Sequence, residues 1–368
     1  MTSTELRDTG LEEKPVRTES SNAWWILSGV VMFIGTLVLL VAFFVEVPYF
    51  ANLPGPAFRT DEFVTIPGQE TTESSGDLYL LTVLRESVTL VGYVQASFDD
   101  RITLIPREVI LPEGRTSEDK KRADQQMMED SQQVAIAVAL ERTGYEVSFA
   151  SDGVEVGEVS PGSAAEGVMQ EGDVIIAFEN EPVFFSGDLV SRIQERAVGD
   201  VVEFTIERGE EILDLKVTLG AREPGDPTPI VGVTIFTVGS RFDFPIEVLI
   251  ESQNIGGPSA GLMFSIEIIN QLSPVDVTSG HRIAGTGTID SDGSVGPIGG
   301  IRQKVFGALN AGADLMLVPE ANFEDAVAAL EGHDTELKLV SVATIDDALQ
   351  AMATFGGWSV ESLSNGTR

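Results

Sequence analysis

The chain has 368 residues, 58 of them acidic against 23 basic, for a formal net charge of -35. That length holds two or three domains, each with its own core. So acidic a chain excludes nucleic acid or an anionic lipid surface as its main partner and leaves either a solvated acidic shell or a preference for basic substrates. Cysteine is absent, so thiol chemistry and disulfides are excluded and stability rests on packing.

Residues 1–23 are polar and mixed in charge, the composition of a disordered, cytoplasmic tail. Residues 24–45, WWILSGVVMFIGTLVLLVAFFV, carry no charge and would reach about 33 Å as a helix, enough for one membrane span. Glu46-Val47-Pro48-Tyr49-Phe50 follows directly where a cleavage site would need small residues, so the expectation is an uncleaved signal anchor in the cell membrane. Arg7, Lys14 and Arg17 precede the span and only Arg59 falls in the twenty residues after it. This bias predicts a single-pass protein with its N-terminus in the cytoplasm and its bulk outside.

Residues 46–144 read as an extracytoplasmic connector and helical region. The stretch to Gly76 is extended and rich in Pro, Thr, Ser and Glu; residues 77–82 suit a strand, and residues 88–98 a short helix. A long helix starts at Ser117 with Glu118 and Asp119 behind it, carries Met127, Ser131, Val134 and Val138 on one face, and ends at Gly144.

From residue 145 to 222 the pattern turns β-rich. Val154 to Val159 alternates apolar and polar residues, Ser160-Pro161-Gly162-Ser163-Ala164-Ala165 turns, and Gly172-Asp173-Val174-Ile175-Ile176 leads into another strand. After a helix over 187–197, the segments 201–207 and 212–219 form a hairpin. This segment resembles a PDZ domain, with Asn180-Glu181 in place of the usual Asn-Gly turn. The resemblance implies peptide binding as an added strand, in a groove lined by Gly144, Tyr145, Leu189 and Ile193. The alternative is that Leu189 and Ile193 are the module's own core.

A Pro-rich linker, 222–229, precedes a last domain at 228–355. There strands near 230–237, 244–251, 283–290, 315–319 and 337–342 alternate with helices, an α/β or α+β pattern, and residues 356–368 read as a frayed tail. The motif Asn254-Ile255-Gly256-Gly257-Pro258-Ser259-Ala260-Gly261 opens one helix, which carries Leu262, Ile266 and Ile269 on one face. Pro258 suits a first turn, which puts Ser259 at a helix N-terminus among unpaired N–H groups, while Gly257 and Ala260 leave room for a substrate carbonyl. Such a site suits an oxyanion; a helix-capping serine is the plainer reading. Lys304 decides between them. It lies in the first turn of a helix over 301–311 carrying Val305, Phe306 and Leu309, where the helix dipole and apolar neighbours both favour the neutral amine that a general base requires.

Gly257-Pro258-Ser259-Ala260-Gly261, then Gly285-Thr286-Gly287-Thr288-Ile289-Asp290 and Val295-Gly296-Pro297-Ile298-Gly299-Gly300-Ile301-Arg302-Gln303-Lys304, resemble the two conserved stretches of Lon-type serine peptidases. The chain as a whole resembles the membrane-anchored, PDZ-containing Lon-like peptidases of Gram-positive bacteria. The resemblance implies a multidomain protein: an N-terminal transmembrane helix, a β-rich PDZ domain and a C-terminal α+β Lon-type proteolytic domain. It implies Ser259 as nucleophile, Lys304 as general base and then acid, Thr286 as a hydroxyl holding the lysine, and assembly into a homo-oligomeric ring. The family's Lys-Asp-Gly before Pro-Ser-Ala-Gly is replaced by Ile255-Gly256-Gly257, which removes a carboxylate from that place.

No G-x-x-x-x-G-K-[ST] loop occurs in the sequence, so the expectation is an ATP-independent endopeptidase acting on peptides or unfolded segments, with no cofactor and no metal. His281 and His333 lie in polar, turn-like surroundings and make poor triad members; no H-E-x-x-H occurs, and Asp290, Asp292 and Gly293 read as a turn. Two other readings stand beside the peptidase: a non-catalytic PDZ receptor on a Lon-like scaffold, and a chain that processes only itself.

Overall fold

A computed structural model describes residues 22–111, 116–221, 227–239, 241–252 and 255–364. The leader to residue 21, most of the Pro-rich linker, Asn254 and the last four residues of the tail lie outside the described residues. The first element is a helix, Asn22–Phe44, of 23 residues, with Trp24, Trp25, Leu27, Met32, Phe33 and Phe44 all more than half exposed. Counted over the described residues, no helix is long and apolar enough to cross a membrane; the side chains of Ile26, Leu37, Val38, Leu39 and Val41 fall outside that description.

Two sheets organise the rest. The larger runs, in spatial order, Lys338–Val342, Leu315–Pro319, Arg282–Gly285, Asp77–Thr89, Glu46–Arg59 and Thr103–Pro106. Its first three junctions are parallel and the last two antiparallel. Parallel strands buried on both faces need apolar residues at every position, and Leu315-Met316-Leu317-Val318-Pro319 is buried throughout. The two-residue period of the strands then divides the core. Leu80, Ile283, Leu315 and Leu317 point to a face covered by the helices Ser117–Arg142, Gly261–Leu272 and Ile345–Gly356. Leu81, Ala284, Met316 and Val318 point to the other, covered by Ile301–Ala311 and Phe323–Leu330.

The second sheet, ordered Glu211–Thr218, Val201–Arg208, Val174–Phe178, Gly153–Val159 and Val233–Val238, encloses its own core of Val154, Val156, Ile175, Phe178, Phe204, Ile206 and Val217. Asp173, wholly buried before one of its strands, is held by Arg208 at 2.7 Å through both carboxylate oxygens. A buried carboxylate needs such a partner.

Several boundaries differ from those expected. The segment 46–59, read as a connector, is a strand inside the larger sheet, paired on both sides. It looked like a linker because Pro48, Pro54 and Pro56 break the strand pattern, and the pairing indeed shifts register around 46–50 and 54–57. The strand 233–238, assigned to the last domain, pairs with Gly153–Val159 of the second sheet. Of the expected strand over 244–251 only Leu249–Ile250 forms, against Val64–Thr65. The expected short helix over 88–98 is confined to Leu90–Ala96. The helix expected over 187–197 runs Ser186–Gln194. The tail folds back: Val360–Ser364 is a 3-10 turn, and Leu363, Trp358 and Val360 join the core. The β-rich module is therefore inserted between two parts of one α/β domain, not placed before it.

Candidate active site

Ser259 and Lys304 reach each other because the strand between them stops early. The helix behind Ser259 packs on one face of the larger sheet and the helix bearing Lys304 on the other. The strand Arg282–Gly285 separates them and ends at Gly285, directly before Thr286, while its neighbour Asp77–Thr89 continues. Side chains from opposite faces meet in the gap beyond the carboxyl end of the short strand, the place where open α/β sheets commonly bind ligands.

Glycines fix the approach. Gly257 has φ +85°, a conformation that side chains resist, and its N–H donates to the Asp124 carbonyl at 2.7 Å. Pro258–Ala260 forms one 3-10 turn running into Gly261–Leu272. A Cβ on Gly261 would lie 2.6 Å from Ser131 Oγ and 2.8 Å from Ile289 Cγ2, so only glycine lets that helix start against the long helix. Ser131 Oγ donates to the Pro258 carbonyl at 3.0 Å. Gly287 N–H and the Thr286 hydroxyl both donate to the Ser259 carbonyl, at 3.0 and 3.1 Å. The carbonyls of Pro258 and Ser259 are thus both held, which fixes the backbone that carries the serine side chain.

Lys304 Nζ lies 2.6 Å from Ser259 Oγ and 2.8 Å from Thr286 Oγ1. The lysine is 3% exposed, and burial alone draws its pKa from 10.5 down to about 7. An amine in that state carries a lone pair near neutral pH, which the serine proton can reach. The cleft above the pair has a volume of about 700 Å³, with Phe58, Phe63, Leu80, Val83 and Arg85 among its walls. A cavity of similar size between His281 and Lys338 contains none of these groups, so size alone does not mark the site.

The structure brings Ser259, Lys304, Thr286, Gly257 and Ala260 together. It does not gather the four residues expected to line a peptide groove. Leu189 and Ile193 are 1% and 9% exposed and belong to the core of the β-rich module. Gly144, at φ +89°, only terminates the long helix, and Tyr145 packs on the core of the larger domain. His281 packs at a tilt against Phe355 and His333 edge-to-face against Phe306; neither lines the cleft. Asp290, Asp292 and Gly293 form a turn closed by Gly293 N–H to the Asp290 carbonyl and Ser294 N–H to Asp292. Among the described residues no group of three His, Cys, Asp or Glu side chains could hold a metal ion.

Two site residues escaped the sequence reading. Ser131 was visible as a lone hydroxyl in an apolar stripe, with nothing to say that Pro258 would receive it. Asp124 sits on the cleft wall beside Gly256 and pairs with Lys120 at 2.9 Å. It brings a carboxylate near the stretch Ile255-Gly256-Gly257, where the local sequence has none, from 130 residues upstream of the motif.

The profile of the Lon protease (S16) C-terminal proteolytic domain matches residues 247–354, and that of a PDZ domain matches residues 128–219. A Lon-type proteolytic domain and a PDZ domain are both present. Among similar proteins, the Lon protease of Campylobacter concisus is 30% identical over 162 residues, 42% of this chain and 20% of the relative. That of Trichlorobacter lovleyi is 35% identical over 94 residues, 26% of this chain and 11% of the relative. The chain thus spans about a fifth or less of these relatives. A solved PDZ domain of an SdrC-like protein from Listeria monocytogenes is 27% identical over 23% of this chain and 87% of that domain, with a TM-score of 0.22. The segment 247–354 is thus homologous to the proteolytic domain of Lon proteases. The PDZ profile begins inside the long helix of the larger domain and stops before the strand Val233–Val238 that completes the module's sheet.

Proposed function

We propose that the chain is a membrane-anchored, ATP-independent serine endopeptidase in which Ser259 attacks the peptide carbonyl and Lys304 first takes and then returns the proton. The observation that carries this reading is the 2.6 Å approach of a buried lysine amine to a serine hydroxyl. In the reactive state the serine hydroxyl donates to the lone pair of Nζ, and Nζ donates to Thr286 Oγ1, which itself donates to the Ser259 carbonyl. That chain of donors fixes the amine's lone pair on the nucleophile. Attack forms a tetrahedral adduct whose oxyanion lies by the N–H groups of the Pro258–Ala260 turn. Protonated Lys304 then delivers its proton to the leaving amine, and water hydrolyses the ester by the same relay.

The strand Asp77–Thr89 supports a peptide substrate. Its residues 77–80 pair with Arg282–Gly285, and residues 81–85, beyond the end of that neighbour, line the cleft. An extended peptide added along this edge would lie across the dyad. ATP independence is inferred from the lack of a phosphate-binding loop in the sequence. Membrane anchoring is inferred from the amino-acid sequence, whose residues 24–45 carry no charge. The end of this segment is tied to a neighbouring helix by Leu90 N–H to the Val45 carbonyl at 2.9 Å. That helix in turn exposes Leu90 and Val94, with Phe98 just beyond it, an apolar face suited to the membrane border. The inserted PDZ domain is proposed to select substrate or gate the cleft, since it follows the long helix and its helix Ser186–Gln194 lines a pocket together with Pro258.

The test is hydrolysis of a permanently unfolded protein by the full chain in detergent micelles, beside Ser259→Ala and Lys304→Met. Activity in the parent alone is expected. Equal activity in all three, or none in any, would replace this reading with a peptide receptor.

A further inference from the structure

Between the PDZ domain and the larger domain lies a second, smaller pocket, about 200 Å³ in volume. Three carboxylates face it from three separate elements: Asp130 of the long helix, Asp188 of the PDZ helix Ser186–Gln194, and Asp290 of the turn after Thr288–Ile289. Asp188 accepts from the Ser291 hydroxyl at 2.9 Å and Asp130 from the Gln126 amide at 3.1 Å. Asp290 is less well served. It is 6% exposed, and its Oδ1 has no hydrogen-bond partner; that oxygen faces the start of the PDZ helix, 3.6 Å from where a Cβ on Gly187 would stand. Gln194 Oε1, on the same pocket, is also buried without a partner.

Gln194 Oε1 is an acceptor, and so is Asp290 Oδ1 in the ionised form, so a donor that carries positive charge would satisfy both and hold Asp290 ionised. Arg192, the basic group whose field both Asp188 and Asp290 feel, turns its guanidinium to the Pro182 carbonyl at 3.1 Å. Of the remaining walls, Val134, Val190, Ile235 and Ile289 are apolar, and Ser131, Ser186, Ser191 and Thr288 carry hydroxyls. A volume below the roughly 300 Å³ of ordinary small-molecule pockets suits one side chain. An aliphatic stem ending in a cation fits this combination.

We propose that this pocket is a recognition site for a basic side chain, lysine or arginine, of a bound peptide. Carboxylates repel the chain terminus that a PDZ groove commonly takes, so this PDZ domain reads an internal basic residue. The pocket also touches Pro258 and Ser131, which places the recognised residue beside the wall of the nucleophile turn. This rests on the reading of the protein as a peptidase, and it gives the PDZ domain a substrate class.

The experiment uses the full-length Ser259→Ala chain in micelles, so that binding is read without cleavage. Capped fluorescent peptides, identical except for one central residue, carry lysine, arginine, norleucine or glutamate. Lysine and arginine peptides are expected to bind at least tenfold more tightly than norleucine, and glutamate weakest. Asp188→Asn with Asp290→Asn should remove the preference. If that pair fails to fold, Gln194→Lys, which puts a resident ammonium in the pocket, should remove it equally. Equal affinity for lysine and norleucine, or a preference unchanged in a folded variant, overturns the proposal. Neither result touches the peptidase reading, which the hydrolysis assay with the parent chain decides separately.

Discussion

At the scale of single residues, the buried amine makes two commitments that can be measured. The first is catalytic: with Lys304 held to about 7, kcat/KM for a peptide should climb as pH rises through that value and level off above it, because only the neutral amine accepts the serine proton. Ser259→Ala or Lys304→Met should each lower kcat by about 10⁴-fold or more, as loss of a nucleophile or its base does in serine peptidases. The second is energetic. The folded pKa lies below the 10.5 of a free lysine, so between those values the unfolded chain binds more protons and stability rises with pH; below about 7 the full cost of burying the charge is felt. Urea unfolding of Lys304→Met should therefore show a gain over the parent at pH 6, on the order of a few kcal/mol, reduced by the two hydroxyls left without their amine. That gain should shrink steadily towards pH 10; a constant gain would mean that the lysine is not neutral in the folded protein. Thr286 holds the amine without touching substrate. Thr286→Val should cut kcat about 100-fold with little change in KM, and Thr286→Ser should restore most of it.

At the scale of elements, the sequence disclosed the chemistry better than the support behind it. Ser259 and Lys304 were legible because the short glycine-rich turns carrying them leave few geometries open, and because a lysine followed by Val305 and Phe306 has to be buried when that helix packs. The positive φ of Gly257 and Gly300 follows from the same local constraint. What was not legible is contact across long sequence distance: Ser131 on Pro258, Asp124 beside Gly256, and the long helix packed along Gly261–Leu272. Periodicity finds an apolar face but not the element that covers it. Gly261 tests this packing directly. A methyl there would enter the space of Ser131 Oγ and Ile289, so Gly261→Ala should destabilise the protein by about 1–3 kcal/mol, measured by chemical denaturation. Adding Ser131→Ala should recover part of the loss, since it removes the nearer atom. Independent, additive effects would mean that the two helices are not in contact at this point.

At the scale of the whole molecule, the domain order read along the sequence misplaces half of the larger domain. Prolines and a Thr- and Glu-rich run made residues 46–76 look like a tether, although Glu46–Arg59 pairs on both sides, and the PDZ domain looked like a bead before the peptidase because local patterns carry no record of which strands join later. Three of the six strands of the larger sheet, and the long helix over its core, precede the PDZ domain. The isolated segment 228–355 would retain Arg282–Gly285 as a bare parallel edge, together with the apolar side of Gly261–Leu272 that Met128, Val134 and Val138 cover in the full chain. It should therefore fail to unfold cooperatively and should aggregate. A fragment beginning at Glu46 keeps every strand of both sheets and should melt as a folded protein and cleave unfolded substrate. One beginning at residue 57 loses most of a central strand and should do neither. Circular dichroism melts and peptide hydrolysis on the three fragments decide the matter; a stable, active 228–355 fragment would mean that the strands and helix upstream of the PDZ domain are not part of the catalytic fold.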